Sequence, residues 1–144
     1  MEAKTLVELP IWATELLEHS PVARLGLLDA EDRPRVLPIT YALHDGGLWS
    51  AIDHKPKRAV EPARIRYLRR RPEAALTVDR YSDDWEQLAW VQALGSVEVI
   101  PCAEAPGAVA ALAEKYPPYL AEPPPGPLLC LAPERLLCWR AAPQ

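Results

Sequence analysis

Residues 22–52 read VARLGLLDAEDRPRVLPITYALHDGGLWSAI, and the fold class follows from how this stretch alternates. Val22, Ala23, Leu25, Leu27 and Leu28 make 22–28 a strand with one apolar face. Asp29-Ala30-Glu31-Asp32-Arg33-Pro34 has the composition of a turn. Val36, Leu37, Ile39, Thr40 and Tyr41 are β-formers, so 35–43 reads as a second strand. His44-Asp45-Gly46-Gly47 carries a hairpin signal, with glycine available for positive φ. A third strand follows at 48–52, and the three together predict a meander.

Working outward, a short helix is expected over 10–19, with Pro10 at its start and Ser20-Pro21 as its stop. Downstream, Pro56 and Pro62 hold off helix until 63–71, where Ile65 and Leu68 share an inward face. Pro72 ends that helix. Strands are expected at 74–81 and 85–100, the second with a bulge or kink at Gly95. An Ala-rich helix over 103–116 comes next. Six prolines in 117–127 predict a stiff irregular loop. Closing strands at 128–132 and 135–140 flank Pro133-Glu134. The expectation is a mainly β fold with inserted helices, a small barrel of about six or seven antiparallel strands in one domain over 1–144.

The 144 residues are 49% apolar and 25% charged, ordinary for a globular protein and unlike a disordered or fibrous one. No apolar run approaches the ~20 residues of a membrane-spanning helix. The N-terminus lacks the pattern of a signal peptide, so a cytoplasmic location is expected. Phe and Asn are absent, and Arg outnumbers Lys 12 to 4. That bias suits either a thermophilic host or a GC-rich genome. Cys102, Cys130 and Cys138 form no CxxC or metal spacing and read as small buried thiols. His19, His44 and His54 are too scattered for a metal site.

The net charge of −4 hides an uneven distribution. Residues 55–71 hold Lys55, Lys57, Arg58, Arg64, Arg66, Arg69, Arg70 and Arg71 against one acid, Glu61. The rest of the chain has eight basic and nineteen acidic residues. A basic cluster in an acidic protein suits a small phosphorylated ligand better than a long polyanion, which the remainder would repel. A solvated helix face, its cations near the C-terminal end of the dipole, is the plainer reading. No nucleophile elbow, P-loop or GxGxxG is present, and no catalytic residue is assigned.

Specific phrases sharpen this reading. Asp53-His54-Lys55-Pro56-Lys57-Arg58 and Asp79-Arg80-Tyr81-Ser82-Asp83-Asp84-Trp85 flank the basic helix ending Leu68-Arg69-Arg70-Arg71-Pro72, and Ala74-Ala75-Leu76-Thr77-Val78-Asp79 follows it. In this order the chain resembles the pyridoxamine 5′-phosphate oxidase-like flavin and deazaflavin proteins, the split-barrel family, over roughly 12–100. The likeness is greatest to small probable F420-dependent members. Arg64 stands where that family often has lysine, Tyr67 where it has asparagine, and Asp32-Arg33 replaces a usual Asp-Gly.

The resemblance implies an FMN-binding type of split barrel, a homodimer with coenzyme F420 or FMN at the subunit interface, and hydride transfer to or from a small organic substrate. It implies a phosphate pocket at Lys55, Lys57, Arg58 and Arg64. It also implies a ring wall along Pro38, Ile39 and Thr40 and along Ser50, Ala51 and Ile52, with Leu37 beside them. Ordinary strand interior is the better reading for Ile39 and Ile52 taken singly. Tyr81, Trp85 and Trp90 form an aromatic group for the interface, either against the cofactor or as dimer packing. Trp12, Trp49 and Trp139 are expected to anchor the core or an interface. The rival readings are a non-catalytic flavin- or haem-binding barrel and, less favoured, a nucleic-acid binder using 55–71.

Overall fold

The computed structural model describes residues 1–52 and 61–141. The strands are β1 (Glu2–Ala3), β2 (Ala23–Leu28), β3 (Pro34–Ile39), β4 (Ala42–His44), β5 (Gly47–Ser50), β6 (Glu73–Arg80), β7 (Ala89–Ile100) and β8 (Leu128–Arg140). The helices are α1 (Ile11–His19), α2 (Ala63–Arg70), α3 (Pro106–Lys115) and α4 (Pro118–Ala121). The fold is mainly β, with every strand pair antiparallel, as the alternation in the sequence predicts. Among the described residues no helix is long and apolar enough to cross a membrane.

The sheet runs β3-β2-β6-β7-β8-β5-β4, with β1 paired to β8. It is a split barrel and does not close. The expected meander is therefore corrected to two hairpins, β2–β3 and β4–β5, at opposite ends of the sheet. The expected strand 35–43 is two strands, broken at Thr40-Tyr41. Pro34 and Pro38 deprive β3 of two ladder donors, which suits an edge strand. The β4–β5 turn is a two-residue loop with Asp45 at φ 47° and Gly46 at φ 77°, the left-handed pair that matches strand twist.

The break is sealed by side chains instead of a ladder. Ser50 Oγ donates to Thr40 O at 2.6 Å. The Tyr41 N–H donates to Tyr116 Oη at 3.1 Å. That hydroxyl lies 2.8 Å from Pro21 O and 3.1 Å from Tyr41 O. Tyr41 itself is fully buried, and its hydroxyl donates to Leu17 O. Buried backbone groups left without such partners would each cost about 1–3 kcal/mol.

Further differences from the sequence reading are local. Residues 85–87 form a 3-10 turn, with Asp84 accepting from the Glu86 N–H, so the strand begins at Ala89. The two closing strands are one bent strand, β8, and its register with β7 shifts between Leu94 and Gly95, opposite Pro133. The short helix α4 interrupts the Pro-rich loop, and β1 adds a strand the sequence pattern does not reveal.

The main core gathers Leu17 of α1, Ile65 and Leu68 of α2, and Leu25, Leu76, Val91 and Leu136 of the sheet. Burying each of these larger aliphatic chains contributes about 1.5–3 kcal/mol. A second, smaller core lies under α3, where Ala108 and Leu112 pack on Ala42, Ala51 and Leu128.

Candidate functional site

Helix α2 lies against β2 and β7, and its first turn faces the β2–β3 hairpin. Between them is a groove of about 240 Å³, walled by Leu27 and Leu37 on the sheet and by Pro62, Ala63 and Tyr67 on the helix. Two cations enter it, Arg64 from α2 and Arg35 from β3. Arg35 and Leu37 are two residues apart on β3 and so share a face. Arg35 faces Asp29 only loosely, at 3.9 Å. Arg64 is half-buried and has no acidic partner among the described residues.

The other described arginines of the basic cluster have partners. Arg69 pairs with Glu61 at 3.2 Å, and Arg66 donates to Glu61 O at 2.5 Å. Arg70 and Arg71 converge on Asp32 at 2.8 and 3.0 Å. The hydrogen bond from Arg70 holds the Asp32 carboxyl below the usual aspartate range. Asp32 sits at φ 59°, so the turn places a left-handed aspartate where those two guanidinium groups reach it. The excess of positive charge in 55–71 thus divides. The C-terminal arginines of α2 clamp it to the β2–β3 turn, and Arg64 is left over. Lys55, Lys57 and Arg58, like His54, lie outside the described residues.

The donor set fits a phosphate. Two guanidinium groups offer forked N–H donors to one small concavity, and burial of one strengthens its charge-assisted bonds. Arg35 was not singled out from sequence. Its i, i+2 spacing to Leu37 on an otherwise apolar face was the available signal.

The expected ring-wall residues lie along β3, at the break that follows it, and along β5 and the two residues after it. Pro38 points to the exposed face of β3, whereas Ile39 is buried in the main core. Ser50, Ala51 and Ile52 are also buried. The Ser50 hydroxyl is spent on Thr40 O, and Ala51 belongs to the small core under α3. Thr40 is half-buried, and its hydroxyl lies 3.1 Å from Tyr119 Oη. Adjacent side chains of a strand face opposite ways, so a ring laid along such a run would meet its backbone and only alternate side chains. The structure brings together Thr40 with Ser50, and Arg64 with Arg35.

Tyr81 and Trp85 are each more than two-thirds exposed, and Trp90 is exposed on β7 opposite Trp139 of β8. Trp12 lies under the Arg140 guanidinium at 5.2 Å, and Trp49 donates to His44 O at 2.9 Å. Cys138 is buried, while Cys102 and Cys130 are half-buried. Burial pushes the Cys130 thiol up to about 11, which keeps it protonated and unreactive near neutral pH. Among the described residues no group of three or more His, Cys, Asp or Glu could hold a metal ion.

A family model described as pyridoxamine 5′-phosphate oxidase matches residues 12–140. No curated protein matches the sequence. Among solved structures, an F420 reductase is 20% identical, with 90% of this chain and 98% of that one covered and a TM-score of 0.67. A FAD-binding protein from Mesorhizobium loti is 18% identical, covering 96% of each chain at a TM-score of 0.65. A heme binding protein from Mycobacterium smegmatis is 20% identical, covering 85% of this chain and 50% of that one at 0.68. At these identities the structural likeness carries the fold.

Proposed function

Because the chain belongs to the pyridoxamine 5′-phosphate oxidase family, we propose that it is an oxidoreductase using coenzyme F420 or FMN. It transfers hydride between that cofactor and a small organic molecule. The observation that carries the reading is the half-buried Arg64, without an acidic partner among the described residues, facing Arg35 across a small groove. Such a cation is poised for a ligand phosphate, and Lys55, Lys57 and Arg58 precede it in sequence. A flavin-type cofactor is in keeping with two solved neighbours, one an F420 reductase and the other a FAD-binding protein.

The cofactor supplies the hydride chemistry. The chain's own residues bind and orient it. Arg64 and Arg35 fix the phosphate, and Leu27 and Leu37 keep the groove apolar beside it. Positioning alone accelerates such a transfer, so no protein acid or base is required. The protein acts as a homodimer. Tyr81, Trp85, Trp90 and Trp139 leave large apolar surfaces exposed on one chain, and a second copy covers them. The aromatic group then closes the cofactor site from the partner side. Pairing of Arg69, Arg70 and Arg71 with acids disfavours the nucleic-acid reading.

The test is single-turnover oxidation of the bound, reduced cofactor by a panel of quinones and enones. An acceptor-dependent return of the oxidised cofactor's absorbance is expected. A protein that binds the cofactor yet passes hydride to none of them would favour a non-catalytic binder, the reading suggested by the heme binding neighbour.

A further inference from the structure

A second cavity, of about 550 Å³, lies on the α3–α4 side of the barrel. Its walls are Tyr116, Pro117, Pro118 and Tyr119, with Thr40 and the exposed acid Glu122 also lining it and Lys115 within. These residues follow in one run, Lys115-Tyr116-Pro117-Pro118-Tyr119, at the turn from α3 into α4. The prolines fix this turn, so the two aromatic rings meet edge to face with centroids 6.0 Å apart.

Lys115 is the unusual member. Its Nζ lies 3.8 Å from the centroid of the fully buried Tyr41 ring and 5.5 Å from that of Tyr116. It is the one buried side-chain nitrogen or oxygen among the described residues with no hydrogen-bond partner. A lysine usually keeps its head in water by extending its stem. This one turns inward, where the rings offer a cation face but no acceptor. Its side chain forms part of the cavity wall.

An amine lacking an acceptor, beside aromatic and proline walls, calls for a ligand with an anionic oxygen on a flat apolar body. We propose that this cavity binds a small aromatic carboxylate, its carboxylate taking Lys115 Nζ and its ring lying against Tyr116 and Tyr119. The Thr40 and Tyr119 hydroxyls, 3.1 Å apart, add polar contacts at the same wall. This site shares only Thr40 with the residues assigned to the cofactor and requires no cofactor.

The charge state sets a second expectation. Burial lowers the Lys115 pKa to about 8, partly offset by Glu18 of α1. The other titratable groups facing it are Tyr41, Tyr116, Tyr119 and Glu122. Tyr41 keeps its proton through this range, because burial raises its pKa well above the ordinary tyrosine value. Carboxylate binding therefore requires the protonated amine and weakens as pH rises through about 8.

The experiment is calorimetric titration of the full chain, purified without cofactor, with 2-naphthoate and with uncharged 2-naphthamide. At about pH 7 the naphthoate is expected to bind roughly tenfold more tightly than the amide, a charge-assisted contact being the difference. Lys115→Met should abolish that preference, and raising the wild-type protein to about pH 9.5 should do the same. The pH comparison decides the matter if the variant does not fold. Equal affinity for the two probes, no binding of either, or a preference that survives Lys115→Met or the high pH would overturn the assignment.

Discussion

Gly95→Ala is expected to lower the stability of the fold by about 3 kcal/mol. The longest strand pair, β7–β8, changes register between Leu94 and Gly95, and Pro133 faces the glycine across that bulge. A Cβ at Gly95 would fall 2.0 Å from Ala132 O and 3.2 Å from Pro133 Cα. Both are backbone atoms, so relief requires the two strands to part. The core residues Leu136 and Val97 sit on either side of the bulge. Parting the strands there would loosen packing as well as the ladder. Gly126 is the control, since a Cβ there meets nothing within 4 Å, and Gly126→Ala should change stability by no more than about 0.5 kcal/mol. Urea unfolding of both variants checks this, through a lowered midpoint at an unchanged slope for Gly95→Ala. A Gly95→Ala protein as stable as the parent would contradict the bulge assignment.

Replacing Lys55, Lys57 and Arg64 together with alanine is expected to weaken F420 or FMN binding roughly a hundredfold. Each hydrogen bond to a charged group is worth about 1.5–3 kcal/mol when desolvated, and solvent screening reduces the sum. The dimer should survive, because none of the three belongs to the aromatic surface proposed as its interface. Arg69→Ala separates the specific effect from a general loss of charge. Arg69 is already paired with Glu61, so its loss should leave cofactor affinity unchanged. Titration of cofactor into the two variants, with size-exclusion chromatography for the oligomer, makes the comparison. Unchanged affinity in the triple variant, or an equal loss in Arg69→Ala, would remove the phosphate assignment.

Much of this fold was legible in residues 22–52, because one-sided burial writes itself as alternation: Ala23, Leu25 and Leu27 are buried on β2. The hairpin at Asp45-Gly46 was legible for the same local reason, a demand for positive φ. Sheet order was not. Which strand lies on the other side of β2 depends on a partner far along the chain, because β6 reaches β2 across the intervening helix. The break at Thr40-Tyr41 was hidden because its hydrogen bonds come from Ser50 and Tyr116, one of them 75 residues away. The site shows the same division. The basic cluster was visible as composition, but its partition was not, since Asp32, which engages Arg70 and Arg71, precedes them by 38 and 39 residues. Arg64 stands out only after the others are paired. Ser50, expected in the ring wall, spends its hydroxyl on the seal. The buried amine of Lys115 carried no sequence signal apart from the prolines that follow it.

The most direct test of the central claim is a titration of the cofactor-free protein with F420 and with FMN, followed by tryptophan fluorescence, the chain having five tryptophans. Saturable quenching by one of the two, lost in the Lys55, Lys57 and Arg64 triple variant, is the predicted result. A protein that binds neither cofactor would contradict the account, leaving the split barrel without the flavin-type function proposed for it.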